Sequence, residues 1–374
     1  MDCKYFGKCG SCNLHDIEYT KQLIEKKERV KSLLSDFTSH EIEVFSYEGS
    51  NYRARAEFRI WHDGDNLSYA MSSVEKKKVV QIESCPKVVE GIEKRMSPLL
   101  AEIKKSKILK ERLFGVEFLS STTDDTLITL LYHKKLDEQW NFEALEVSKI
   151  VNAKIIGRSR KQKVVMSDEF VIEKLNIEDK IYTYKHYEGG FTQPNPFINE
   201  KMISWAKDKA LRMKKGDLLE SYCGLGNFTI PLSASFDKVL ATEISKRSIQ
   251  SAKENCELNS INNIEFIRLS SEEMSEALSK KRIFKRLEGI DLDSYDFSCV
   301  LVDPPRAGLD NDTIHLISNI NSIIYISCNP ETLARDLETL CLSHEICDVA
   351  IFDQFPYTHH IESGVFLQKI PISI

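Results

Sequence analysis

An α/β fold is predicted, with a C-terminal, doubly wound, Rossmann-like parallel sheet preceded by a smaller α+β unit. Three observations predict it. From about residue 194 onward, short apolar runs alternate with helix-like stretches, the pattern of a parallel sheet with crossover helices. Before that point, alternating strand patterns and helices follow one another in no regular order. Between the two lies EGGFTQPNP (188–196), whose two Gly and two Pro mark a boundary. With roughly 150 residues per domain, 374 residues fit two or three units. The expected division is 1–40 as an N-terminal cysteine loop and helix, 41–190 as the central α+β unit, and 191–374 as the sheet domain.

Residues 1–15 hold three cysteines in a Gly-rich loop. A helix is expected over 17–34, where Leu23, Val30 and Leu34 stand among many charges. The central unit predicts strands at 55–61, 126–133 and 154–159, and helices near 88–105 and 137–150. No internal repeat is present. The last unit predicts a helix over 195–213, a strand at 217–221, a Gly-rich turn and a short helix to about 233. A strand at 238–242 and a helix at 245–259 follow, with buried strands at 264–268, 299–302 and 322–326.

Composition narrows the class. Hydrophobic residues at 42% and charged residues at 29% describe a globular chain, not a disordered or low-complexity one. No apolar run approaches the ~18 residues of a membrane-spanning helix. The first residues, MDCKYFGKCGSC, do not read as a signal peptide. Ten cysteines in that context point to a reducing, cytoplasmic setting, where they serve as thiols, metal ligands or nucleophiles. The net charge of −6 is uneven: residues 1–190 hold 32 basic and 31 acidic side chains, the remainder 19 and 26. Lys154 to Lys163 carries five basic residues and no acid. Such a run is most simply a solvated surface, but an acidic pI does not exclude RNA when basic residues gather on one face.

LLESYCGLGNF (218–228) is an apolar strand ending in Gly-x-Gly before a helix. Gly224 and Gly226 would let the backbone pass close to a ligand. The third glycine of a dinucleotide fingerprint is replaced by Thr229, which argues against a nicotinamide cofactor. Glu243 ends the next strand, 19 residues after Gly224, where a carboxylate can accept both ribose hydroxyl protons. An adenosine ligand with a small charged tail fits best, namely S-adenosylmethionine. Asp303, in VDPPRAGLD, ends a later strand at the same crevice.

Cys328 lies at the end of a strand in YISCNPETLARDL, just before a helix whose N-terminus would stabilise a thiolate and lower its pKa. The alternative is a small core residue with Asn329 capping the helix. Glu362 stands between two apolar runs in FDQFPYTHHIESGVFL. His359 and His360 do not read as a metal pair, because neighbours in a strand point to opposite faces.

These segments together resemble the RNA uracil-5-methyltransferases. The resemblance runs through RARAEFRIWHDGD (53–65), LLYHKKLDEQW (130–140), GGFTQPN (189–195), LLESYCGLGNF, LATEISKRSI (240–249), DPPRAGLD, YISCNPETL and FDQFPYTHHIE. FTQPN, SCNPET and FPYTHHIE look most like the branch that methylates the T-loop uridine of tRNA. The resemblance implies Cys328 as nucleophile and Glu362 as general base. It also implies Gln193, Tyr222, Asn227, Glu243 and Asp303 at the S-adenosylmethionine site, with an RNA-binding role for the central unit. The chemistry agrees. Carbon 5 of uracil is a poor nucleophile, and thiolate attack on carbon 6 makes an enolate that can take a methyl group. A base must then remove the carbon-5 proton. Cys223 reads as a packing residue. Arg53, Arg55 and Arg59 alternate and are expected to offer one face to RNA.

Cys3, Cys9 and Cys12 have the spacing C-x5-C-x2-C, and Cys85 precedes Pro86. Four thiolates suit a [4Fe–4S] cluster or a zinc ion. The spacing resembles the cluster-binding cysteines of the family's ribosomal-RNA branch, so 23S rRNA stands as the alternative substrate. A non-catalytic RNA-binding protein on the same scaffold is the alternative of a different class. No membrane and no obligate protein partner are expected.

Overall fold

The computed structural model describes residues 1–47, 49–75 and 77–371. Its first strand, β1 (Ile42–Phe45), belongs to the last sheet, not to its neighbours in sequence. A seven-stranded sheet follows, built from β2 (Arg55–Asp63), β3 (Asn66–Ser72), β4 (Val79–Ile82), β5 (Leu113–Ser120), β6 (Thr126–Tyr132), β7 (Lys154–Ser159) and β8 (Gln162–Val165). Its order is β4-β3-β2-β5-β6-β7-β8. Helices Glu90–Lys105 and Glu138–Val151 pack on one face around Phe58, Tyr69, Phe118 and Trp140. The other face is covered in part, where Val171 buries Leu119, Leu127 and Ile156, and is open along β2, where Phe58 and Ile60 are buried while Arg59 and Trp61 are exposed.

A hairpin of β9 (Phe170–Ile177) and β10 (Lys180–Tyr187) leads into the large sheet. That sheet adds β11 (Asp217–Ser221), β12 (Val239–Thr242), β13 (Ile264–Ile267), β14 (Phe297–Val302), β15 (Ser322–Ser327), β16 (His344–Phe352) and β17 (Glu362–Lys369). Its order is β1-β16-β17-β15-β14-β11-β12-β13. The order reverses between β11 and β14, which opens the crevice where α/β sheets hold ligands.

The expected all-parallel sheet is modified at one place. β17 runs antiparallel between β15 and β16, because a hairpin loop returns the chain directly beside β16. Both faces of the sheet are covered, so its strands read as unbroken apolar runs such as the fully buried VLAT of β12. One face packs on Trp205, Phe228 and the β9–β10 hairpin. The other packs on Leu333, Leu337 and, from the N-terminal helix Tyr19–Leu34, Val30 and Leu34. Each such side chain contributes about 1.5–3 kcal/mol on burial.

Candidate active site

The carboxyl ends of β11, β12, β14 and β15 open on one cavity of about 500 Å3. Gln193, Tyr222, Gly224, Asn227, Glu243, Asp303, Cys328 and Glu362 all line it. Every residue expected at the cofactor and catalytic site is therefore brought to a single hollow.

The turn after β11 is built for close approach. Gly224 sits at φ +56°, and a Cβ there would meet no atom within 4 Å, so the glycine leaves open space at the ligand side. Tyr222 takes a left-handed conformation at φ +64°, a strain of about 1–3 kcal/mol that its surroundings must hold. Its hydroxyl shares a 2.5 Å hydrogen bond with Ser271 Oγ. Glu243 closes the turn from the next strand, accepting the Ser245 N–H at 2.8 Å and the Gly224 N–H at 3.3 Å. Asn227 exchanges two amide hydrogen bonds with Asn199, at 2.8 and 2.9 Å.

Cys328 follows β15 and precedes the helix Pro330–Leu340. Asn329 caps that helix and donates to the Arg306 carbonyl at 3.0 Å, tying the cysteine turn to the turn after Asp303. The expected low thiol pKa is not found. Burial pushes Cys328 up to about 11, the negative potential of Glu362 and Asp303 adds to it, and Arg306 opposes. Burial likewise raises Asp303 to about 7. Glu362 is pushed well above the carboxylate range by burial and then by Asp303. The empty cavity thus favours protonated acids and a thiol. A cation entering it would reverse all three tendencies.

Some contributors were not singled out from the sequence. Arg306, His186 and Phe355 line the same cavity. Arg306 reaches His360 Nδ1 at 3.2 Å, and burial lowers His186 to about 4, so it stands there neutral. Glu220, fully inside β11, is raised to about 8 by burial and the charge of Asp303 against a lowering influence of the Thr229 hydroxyl, and its Oε2 meets no hydrogen-bond donor at full bonding geometry among the described residues. Arg306 had a signal in DPPRAGLD; the others depend on packing.

With this geometry in view, the comparisons with known proteins are decisive. A family profile described as tRNA (Uracil-5-)-methyltransferase matches residues 18–370. The chain belongs to this family. A tRNA/tmRNA (uracil-C(5))-methyltransferase of Sulfurovum sp. is 63% identical over 370 residues, covering 99% of this chain and all of the relative. One of the same name from Nitratiruptor sp. is 51% identical, with 99% and 100% coverage. The crystal structure of a Pyrococcus abyssi tRNA (uracil-54, C5)-methyltransferase with S-adenosyl-L-homocysteine superposes with a TM-score of 0.73 at 23% identity, covering 96% of this chain and 86% of that one. It shows that the two share a fold.

A second hollow, of about 810 Å3, lies beside the seven-stranded sheet. Phe114, His133, Lys134, Lys135, Arg158, Arg160 and Lys161 line it, and Phe114 and His133 stack with centroids 4.0 Å apart. It runs into the open sheet face, because Arg59, Gly115, Leu131 and Arg158 are successive cross-strand partners. Of the three arginines expected to share a face, Arg55 and Arg59 lie on β2 and Arg53 just before it. Arg53 donates to the Arg55 carbonyl at 2.8 Å, and Arg55 bonds the Gly190 carbonyl. Arg59 is exposed.

Cys3, Cys9, Cys12 and Cys85 converge on one small cavity of about 30 Å3. Among the described residues, no three His, Cys, Asp or Glu side chains form a group able to hold a metal ion. The expected zinc or [4Fe–4S] centre is therefore not met by this geometry. Burial raises the Cys12 and Cys85 thiols away from the thiolate that a metal needs.

Proposed function

We propose that this protein transfers a methyl group from S-adenosylmethionine to carbon 5 of the T-loop uridine of tRNA. One observation carries the reading: a thiol, two carboxyl groups and a glycine turn closed by Glu243 share one cavity at the switch point of the sheet. The relatives' names put tRNA and tmRNA in the substrate class and do not favour 23S rRNA.

Glu243 and the Gly224 turn would take the adenosine, with Gln193, Tyr222, Asn227 and Asp303 around its tail. The cofactor supplies an electrophilic methyl group and a positive sulfonium charge. In that field Cys328 and Glu362 would each lose their proton to solvent, and the Cys328 thiolate would add to carbon 6 of the flipped uracil, giving the enolate. After carbon 5 is methylated, Glu362 takes the carbon-5 proton and the carbon 6–sulfur bond breaks, returning the thiolate. The non-catalytic alternative leaves the paired thiol and carboxyls without a role.

The seven-stranded sheet would hold the RNA. Its basic hollow supplies phosphate contacts, and the Phe114–His133 stack supplies a platform for an unstacked base. Among the described residues no helix is long and apolar enough to cross a membrane. A tRNA-modifying enzyme works in the cytoplasm with its substrate.

Incubating the protein with unmodified total RNA and S-adenosylmethionine, then mapping 5-methyluridine, tests the proposal. New methylation in the T-loop supports it; methylation only in rRNA, or none, overturns it.

A further inference from the structure

The nine-residue loop 353–361 joins β16 to β17, and Phe352 and Glu362 are Cα partners at its base. The loop places Phe355 and His360 in the cavity. The N-terminal helix Tyr19–Leu34, more than 300 residues away in sequence, seizes this loop with polar side chains at positions i, i+3 and i+7 of one face. The Tyr19 hydroxyl donates to Asp353 Oδ2 at 2.6 Å. Gln22 accepts the Tyr357 N–H at 2.9 Å, while its amide donates to the Ile17 and Leu14 carbonyls at 2.7 and 3.0 Å. Lys26 donates to Asp353 Oδ1 at 2.6 Å and to the Phe355 carbonyl at 3.1 Å.

Gln22 and Lys26 are 1% and 5% exposed. Apolar residues would bury there at less desolvation cost, but they would not impose a direction. What the polar groups supply is a single loop geometry. Tyr357 reinforces the point, because it holds φ +62°, a conformation that a non-glycine residue keeps only when its surroundings enforce it. Gln22 binds its N–H, and the Leu14 N–H binds its carbonyl at 3.1 Å.

We infer that the helix Tyr19–Leu34 is a brace for the catalytic loop, with Gln22 and Lys26 as positioning residues that set Glu362 and Phe355 against the substrate base. The inference rests on the reading of Glu362 as proton acceptor. Its consequence is specific: loosening the brace should slow the elimination step before it affects cofactor binding.

Full-length Gln22→Leu and Lys26→Met variants test this, with Lys26→Arg as the conservative variant and Glu362→Gln as the reference. The readouts are 5-methyluridine formation, covalent enzyme–RNA adduct on denaturing gels, the S-adenosylmethionine Kd and thermal stability. Expected are a roughly tenfold slower turnover, accumulated adduct, and a Kd within about twofold of the parent. Lys26→Arg should restore most of the rate. Slower turnover without adduct, or loss only in proportion to unfolded protein, overturns the brace. If Lys26→Met does not fold, Gln22→Leu decides alone, since it leaves the Lys26–Asp353 ion pair in place. If Glu362→Gln itself traps no adduct, it is the reading of the base that falls. If Glu362→Gln traps adduct and the brace variants do not, only the brace falls.

Discussion

The cavity at the ends of the eight-stranded sheet and the hollow beside the seven-stranded sheet are similar in scale, about 500 and 810 Å3, yet lined by opposite chemistries. The first gathers a thiol and buried carboxyl groups whose protons are held by low polarity and by one another. The second gathers cations around a stacked aromatic pair, with Lys135, Arg160 and Lys161 exposed and Lys134 and Arg158 partly buried in ion pairs with Glu111 and Glu188. Groups that exchange protons or form bonds gain from burial, which moves their pKa values and strengthens local fields. Groups that hold a polyanion gain from openness, where counterion release supplies the affinity. The difference teaches that one chain can keep its reactive groups in a low-polarity pocket and its cations on an open surface.

The largest test of this division is Cys328→Ala. Turnover should fall by roughly a thousandfold or more, because Cys223, the other thiol lining the cavity, is kept protonated by burial and makes a poor substitute. RNA affinity in filter binding should stay near the parent value. Strong loss of RNA binding would erase the separation between the two regions. Glu362→Gln should slow turnover by about a hundredfold or more and leave a methylated adduct visible on denaturing gels. A variant that stalls without adduct would place Glu362 before, not after, methyl transfer.

Substitutions in the other hollow should act the opposite way. Phe114→Ala should weaken RNA binding by about 1–3 kcal/mol with little change in the single-turnover rate at saturating RNA. Arg160→Ala and Lys161→Ala should cost less, and each should reduce the slope of log affinity against log salt by about 0.7–0.9 if it meets a phosphate. An unchanged slope would make these cations ordinary solvated charges.

The smallest expected effect is on stability. Glu220 and Asp303 have folded pKa values of about 8 and 7, above their ordinary values of 4.5 and 3.8. Between those limits the folded chain holds protons that the unfolded chain has lost, so both groups favour the fold at low pH. That contribution is lost as pH rises toward 7–8. Melting of ligand-free Glu220→Gln from pH 4.5 to 8 should show a flatter decline than the parent. A decline as steep as the parent's would mean that Glu220 is solvated.

Much of the candidate site was legible in the sequence because each part sits in a local pattern. Gly224, Glu243, Asp303 and Cys328 all follow strands whose apolar runs are visible, and a parallel sheet sends such ends to one edge. Glu362 lies at the start of β17, an antiparallel strand whose pairing depends on contacts made far away, yet it still stood out as an acid between apolar runs. The Cys328 environment was misread for a related reason: a helix N-terminus is a local feature, whereas the neighbouring Asp303 and Glu362 come from other strands. Phe114 and His133 belong to different strands, so their stack left no trace in either segment.

By itself, the sequence determined the α/β class, the order of strand and helix patterns, the glycine turn and the reactive residue types, because these are set by periodicity and by chemistry within a few residues. Only the tertiary structure decided that β1 pairs with β16, that β17 inverts direction, and that the N-terminal helix holds the loop before Glu362. It also set which protons the buried groups keep. These depend on contacts between segments hundreds of residues apart, and on exclusion of water by packing, neither of which is written in any single stretch of chain.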